Sequence, residues 1–155
     1  MERHCFQQLP DGYEKTLTLD LQKDTKLALV VNGLAVGIAA VMFAAGFLLM
    51  PVFTIFASLP ALAAFLVCTV LYMVLHELVH GACMKLFGAK KVRFGFTGLY
   101  AFAGSSEYFK KVAYIVVALA PLVVWGAVFL ALNLAMGAKY FWFIYMLQLV
   151  NVSGA

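Results

Sequence analysis

Residues 61–87 read ALAAFLVCTVLYMVLHELVHGACMKLF. The stretch is long and apolar enough to be a membrane-crossing helix, which needs about 20 residues. Near its end it holds His76, Glu77 and His80, and Glu77 is the only acidic residue between Asp24 and Glu107. Ionisable groups are costly in hydrocarbon and usually serve a function there. His76 and His80 are four apart, so on a helix they share a face, one turn above the other. Their ring nitrogens can then close on one tetrahedral metal. Glu77 lies about 100° around the helix from His76, where its carboxylate can reach a water at that metal. This is the zinc-hydrolase pattern H-E-x-x-H. Neutral imidazole suits zinc, which lowers the pKa of its water to about 7. Glu77 would take that water's proton and hand it to the leaving amine. The expectation is His76 and His80 as metal ligands, Glu77 as catalytic base and Zn2+ as cofactor. The alternative is a polar cluster that only holds helices together.

The rest of the chain agrees with a membrane setting. Of its 155 residues, 65% are hydrophobic and 12% charged, against roughly 45–50% and about 25% in soluble domains. The net charge is +4, but the basic residues flank apolar runs, where they set topology; no nucleic-acid partner is expected. Cys5, Cys68 and Cys83 are scattered and odd in number, which argues against a disulfide framework. The first 26 residues lack the pattern of a secretory signal.

The expected fold class is an all-α membrane protein, one domain over residues 1–155. It comprises a polar tail at 1–26 and a bundle of about four transmembrane helices near 27–50, 61–87, 112–136 and 140–155. Alternation in the tail at 17–21, LTLDL, suggests a strand or an extended segment at the headgroups. Gly88 is placed to end the second helix. Pro121, inside the third, predicts a kink or a local opening of its hydrogen bonds. Lys and Arg cluster in the tail and between spans two and three, at Lys85, Lys90, Lys91, Arg93, Lys110 and Lys111. Those segments, with the N-terminus, are expected on the cytoplasmic side of a cell membrane.

His76 lies roughly 23 Å from the outer end of its span, which puts the site in the cytoplasmic half of the bilayer. A catalytic zinc usually has three protein ligands plus water. Cys83 shares the histidine face but sits about 7 Å further along the axis, so it reads as packing. Glu107 reads as part of a cap of span three, with Ser105 or Ser106. His4 reads as a solvated tail residue. Span four runs inward, and the zinc level is reached one or two turns past Asn151. The third ligand is therefore expected just beyond Ala155, in a chain that looks truncated. Asn151 is left with two readings: a bond to a neighbouring helix, or a hold on a substrate carbonyl near the metal.

HELVHG, KKVRFGF, YIVVALAPL and the terminal NVSGA, with the tail LPDGYEKTLTLDLQKDTKL, together resemble a bacterial family of zincin peptidases, similar to the site-2 protease group of intramembrane zinc metalloproteases. The resemblance implies His76 and His80 as zinc ligands, Glu77 as acid/base and an aspartate after the Asn-containing motif as third ligand. Residues 92–103 also have a reading of their own. Val92, Phe94 and Phe96 alternate with Arg93, Gly95 and Thr97, and Thr97–Gly98 can turn the chain into a cytoplasmic-side hairpin. Its open edge, with Phe94, Gly95 and Phe96, is a candidate to receive a substrate as an added strand; an interfacial anchor is the alternative. The functional expectation is an intramembrane zinc metallopeptidase. Its partners would be membrane lipid and a transmembrane or membrane-proximal peptide. A non-catalytic metal-binding or structural membrane protein is the alternative.

Overall fold

A computed structural model of the chain describes residues 4–9, 11–14, 24–52, 58–96 and 101–153. The fold is mostly helical: α1 (Thr25–Leu49), α2 (Leu59–Leu86), α3 (Lys111–Ala135) and α4 (Phe141–Ser153), the last entered through a 3-10 turn at Ala138–Tyr140. Among the described residues, four short strands, β1 (Cys5–Phe6), β2 (Arg93–Phe96), β3 (Ala101–Gly104) and β4 (Tyr108–Phe109), pair antiparallel as β1–β4 and β2–β3. The expected strand at 17–21 and the turn at 97–98 lie outside the described residues. The hairpin arms around that turn are β2 and β3.

Local chemistry sets the helix ends. The Asp24 carboxylate accepts from Leu27 N–H at 3.0 Å and starts α1. The Ser58 hydroxyl accepts from Ala61 N–H at 3.3 Å and starts α2, with Pro60 in its first turn. α2 ends where Gly88 takes φ +98°, a conformation open to glycine without a Cβ clash. One expectation fails here. Glu107 does not cap α3, because β4 intervenes and Lys110 takes the cap position without a side-chain bond. The Glu107 carboxylate instead accepts from Lys90 N–H at 2.8 Å and from the Cys5 thiol at 3.6 Å, tying the tail to the segment after α2. Burial first, then Glu107, pushes the Cys5 thiol pKa up. His4 is not merely solvated either. Its carbonyl accepts from Lys110 N–H at 3.0 Å, and its ring meets Phe87 edge-on.

Among the described residues, three helices, α1, α2 and α3, are long and apolar enough to cross a membrane. α4 is described over 13 residues, fewer than a crossing requires. The outward faces are apolar: Leu48 is 88% exposed, and Leu29, Val36 and Val41 are exposed with it. Water would penalise such a surface, whereas lipid matches it. The interior core is Tyr72, Phe129, Ile144 and Leu147.

α4 packs between α1 and α3, and α2 packs on α3. Trp142 on α4 is fully buried. Its ring lies 4.8 Å from Phe47, and its Nε1–H donates to the Met50 carbonyl at 3.1 Å, one of the carbonyls orphaned at the end of α1. Tyr145 donates its hydroxyl to the Met42 carbonyl at 2.7 Å. Both rings come this close because Gly46 has no Cβ; one built there would lie 2.8 Å from Tyr145 and 2.9 Å from Trp142. Gly46→Leu is expected to destabilise the fold by about 1–3 kcal/mol through overpacking. Gly37→Leu, where a Cβ meets nothing within 4 Å, is expected to be silent; thermal unfolding in detergent micelles compares the two.

Candidate metal centre

α2 carries Tyr72, His76 and His80 at successive steps of four, on one face turned toward α3 and α4. Ligand atoms of His76, Glu77 and His80 all lie within 4.8 Å of one another. The two imidazoles meet edge-on with centroids 5.0 Å apart. His76 is 8% exposed, while Glu77 and His80 are half-buried. Cys83 is free and half-buried and is not among the clustered donors.

The hydrogen bonds around the pair fix which ring nitrogens are available. Asn151 on α4 is fully buried. Its Nδ2–H donates to the Leu122 carbonyl of α3 at 3.1 Å. A carbonyl only accepts, so the amide is oriented with Oδ1 toward Tyr72, whose hydroxyl donates to it at 2.8 Å. That uses the one proton the hydroxyl has. The Tyr72 oxygen, 2.8 Å from His76 Nδ1, must therefore accept from an Nδ1–H. On the other ring, His80 Nδ1 lies 2.8 Å from the Val117 carbonyl of α3 and must also carry hydrogen. In the neutral form each histidine thus keeps its Nε2 lone pair free. Metal-binding histidines are commonly held by such a bond from the far nitrogen. Two neutral imidazoles suit zinc, with the Glu77 carboxylate beside them placed to act on a water and not as a ligand. The bond to neighbouring helices, one of the two readings of Asn151, is present.

Glu77 turns toward the hairpin, where its Oε2 accepts from Ala103 N–H at 2.6 Å. The register pairs Ala103 with Phe94 and Ala101 with Phe96. Because Ala103 aims its N–H at Glu77, away from β2, Ala101 two residues earlier presents its backbone to the same side. The strand whose backbone meets the candidate centre is therefore β3. Of the residues singled out on β2, Phe94 sits over Gly81, where any Cβ would collide with its ring, and Gly95 lies beneath the ring of Phe102. Phe96 is exposed. Glu77 borders two cavities. One, of about 550 Å³, also meets His80, Ala103, Ser105 and Tyr114. The other, of about 640 Å³, is walled by Val70, Met73, Val74, Phe94 and Phe102.

Tyr72 escaped the reading of the sequence, although its place four residues before His76 is a signal of a shared face. The Val117 carbonyl and the Ala103 N–H left no such trace, since backbone groups have no residue identity to read. Tyr72→Phe keeps the ring against Trp125 and Phe129 but strands the Asn151 oxygen and the His76 Nδ1–H. The expected result is a loss of about 1–3 kcal/mol in stability and zinc binding weakened roughly tenfold or more, read by competition with a fluorescent chelator.

Comparison with known proteins places this geometry. A family profile described as "Putative zincin peptidase" matches residues 69–155, a stretch that begins within α2 and takes in the histidine pair, the hairpin, α3 and α4. No curated protein and no solved structure matches the chain. Zincins are zinc peptidases, so the family implies zinc at the His76–Glu77–His80 cluster, and this chain belongs to that zincin peptidase family.

Proposed function

We propose that the chain is a single membrane-embedded domain that hydrolyses peptide bonds of membrane-embedded or membrane-proximal substrates, in the manner of the site-2 protease group. The observation that carries the reading is the position of Glu77, between a histidine pair with free Nε2 lone pairs and the backbone of β3. In this reading α4 enters the bilayer between α1 and α3 as a fourth span. The tail and the basic segment, joined by the β1–β4 pairing, face the cytoplasm of a bacterial cell.

His76 and His80 would hold zinc through Nε2. When bound, zinc supplies Lewis acidity and brings the pKa of water to about 7. Glu77 acts as general base toward the attacking water and returns the proton to the leaving amine. Its present bond to Ala103 N–H keeps the carboxylate aimed at the space beside His80. Substrate would lie extended along the edge of β3, pairing with the backbone of Ala101 and the carbonyl of Ala103, since a helical peptide bond is closed to attack. Phe94 and Phe96 on β2, with Gly95 between them, line the apolar cavity beside that edge and would receive a substrate side chain. Asn151 supports the site through Tyr72, and the second N–H of its amide is the group that would hold a substrate carbonyl.

A second reading has its own support: the chain from His76 through Tyr72 to Asn151 links α2 to α4 and would stabilise a purely structural protein. The two readings part at Glu77. Glu77→Gln is expected to lower cleavage of a membrane peptide at least a hundredfold, with zinc content of the purified protein unchanged. Cleavage at the wild-type rate in a zinc-loaded variant overturns the catalytic assignment.

A further inference from the structure

Pro121 sits in the interior of α3 with its ring fully buried. A proline there removes the N–H that would bond the carbonyl four residues earlier, and its ring pushes that carbonyl aside. The carbonyl concerned is that of Val117, itself buried. In a helix surrounded by hydrocarbon, an unpartnered carbonyl has no water to turn to and must find a donor inside the protein. It finds His80: the Val117 oxygen lies 2.8 Å from Nδ1. The helix defect and the histidine thus complete one another across the α2–α3 contact.

We propose that Pro121 is a positioning residue for the metal centre. By withholding the helical donor from Val117, it reserves that carbonyl for His80 and holds the ring as the Nδ1–H tautomer with Nε2 free. Free histidine prefers the opposite tautomer, so the bond has to select against the ring's own preference. The consequence for zinc rests on the reading of the site given above; the tautomer itself does not. The two rings are held independently. His76 answers to Leu122 through Asn151 and Tyr72, and residue 121 has no part in that chain. An N–H restored at position 121 would draw the Val117 carbonyl back toward the helix axis and release His80 alone.

The chain has three histidines, so 15N-histidine labelling of the full protein in lipid bilayers gives few signals. His76→Gln and His80→Gln variants assign them. In metal-free wild-type protein at mildly alkaline pH, both His76 and His80 are expected to carry hydrogen on Nδ1. In Pro121→Ala, the His80 signals are expected to move to the Nε2–H form or a mixture, with His76 unchanged and zinc Kd raised about 10–100-fold. A selective change at one histidine is not what a general loosening of α3 would produce. The inference is overturned if wild-type His80 carries its hydrogen on Nε2, a test that needs no variant to fold. It is equally overturned if Pro121→Ala leaves both the His80 tautomer and the zinc Kd unchanged. If the tautomer moves but neither protein binds zinc, the positioning of His80 stands and the zinc reading falls.

Discussion

Inside a sheath of apolar helices, each buried imidazole nitrogen that does not face the metal position needs a partner from the protein itself. Both such nitrogens find theirs on α3, His80 directly at the Val117 carbonyl and His76 through Tyr72 and Asn151 to the Leu122 carbonyl. Backbone carbonyls cannot donate, so the polarity of each chain of bonds is fixed from its far end. The two lone pairs left over are those a zinc ion would use. The centre therefore depends on α2, α3 and α4 being packed in one arrangement, and a shift of α3 along α2 would disconnect both rings.

The same arrangement explains where small residues and short strands fall. Gly46 lets Trp142 and Tyr145 of α4 reach the backbone of α1, which anchors the helix that delivers Asn151. Gly81, directly after His80, makes room for Phe94 and so lets the hairpin lie on α2. With the hairpin seated, β3 brings Ala103 N–H to Glu77. Glycine on the helix surface, close seating of a strand and orientation of a carboxylate form one causal sequence. The tail contributes at the other end of the hairpin segment, where β1 pairs with β4 and Glu107 gathers Lys90 and Cys5.

Much of this could be read before any coordinates. The apolar runs mark α1, α2 and α3 within a few residues, because a helix in lipid has to be long and uncharged. His76, Glu77 and His80 are legible because four-residue spacing on a helix is geometry fixed by local hydrogen bonds. The hairpin arms show as alternation. One residue misled. Glu107 resembles a cap because an acidic residue after serines just before an apolar run fits that role, yet a two-residue strand intervenes and turns it toward Lys90. Phe94, Gly95 and Phe96 stand out as the alternating strand, but its partner β3 carries the backbone that meets Glu77. Alternation along one strand does not say which strand of a pair faces a neighbour.

The sequence by itself determined the helices long enough for a membrane, the histidine pair with its glutamate, and the presence of a proline that α3 could not absorb silently. These follow from properties of single segments: length, hydropathy, helical spacing and the missing N–H of proline. Only the tertiary structure decided which nitrogen of each histidine is free, that the carbonyl released by Pro121 meets His80, and that Asn151 serves Tyr72. Those outcomes depend on distances between residues such as 80 and 117, or 72 and 151. Packing of whole helices sets such distances, and no local pattern encodes them.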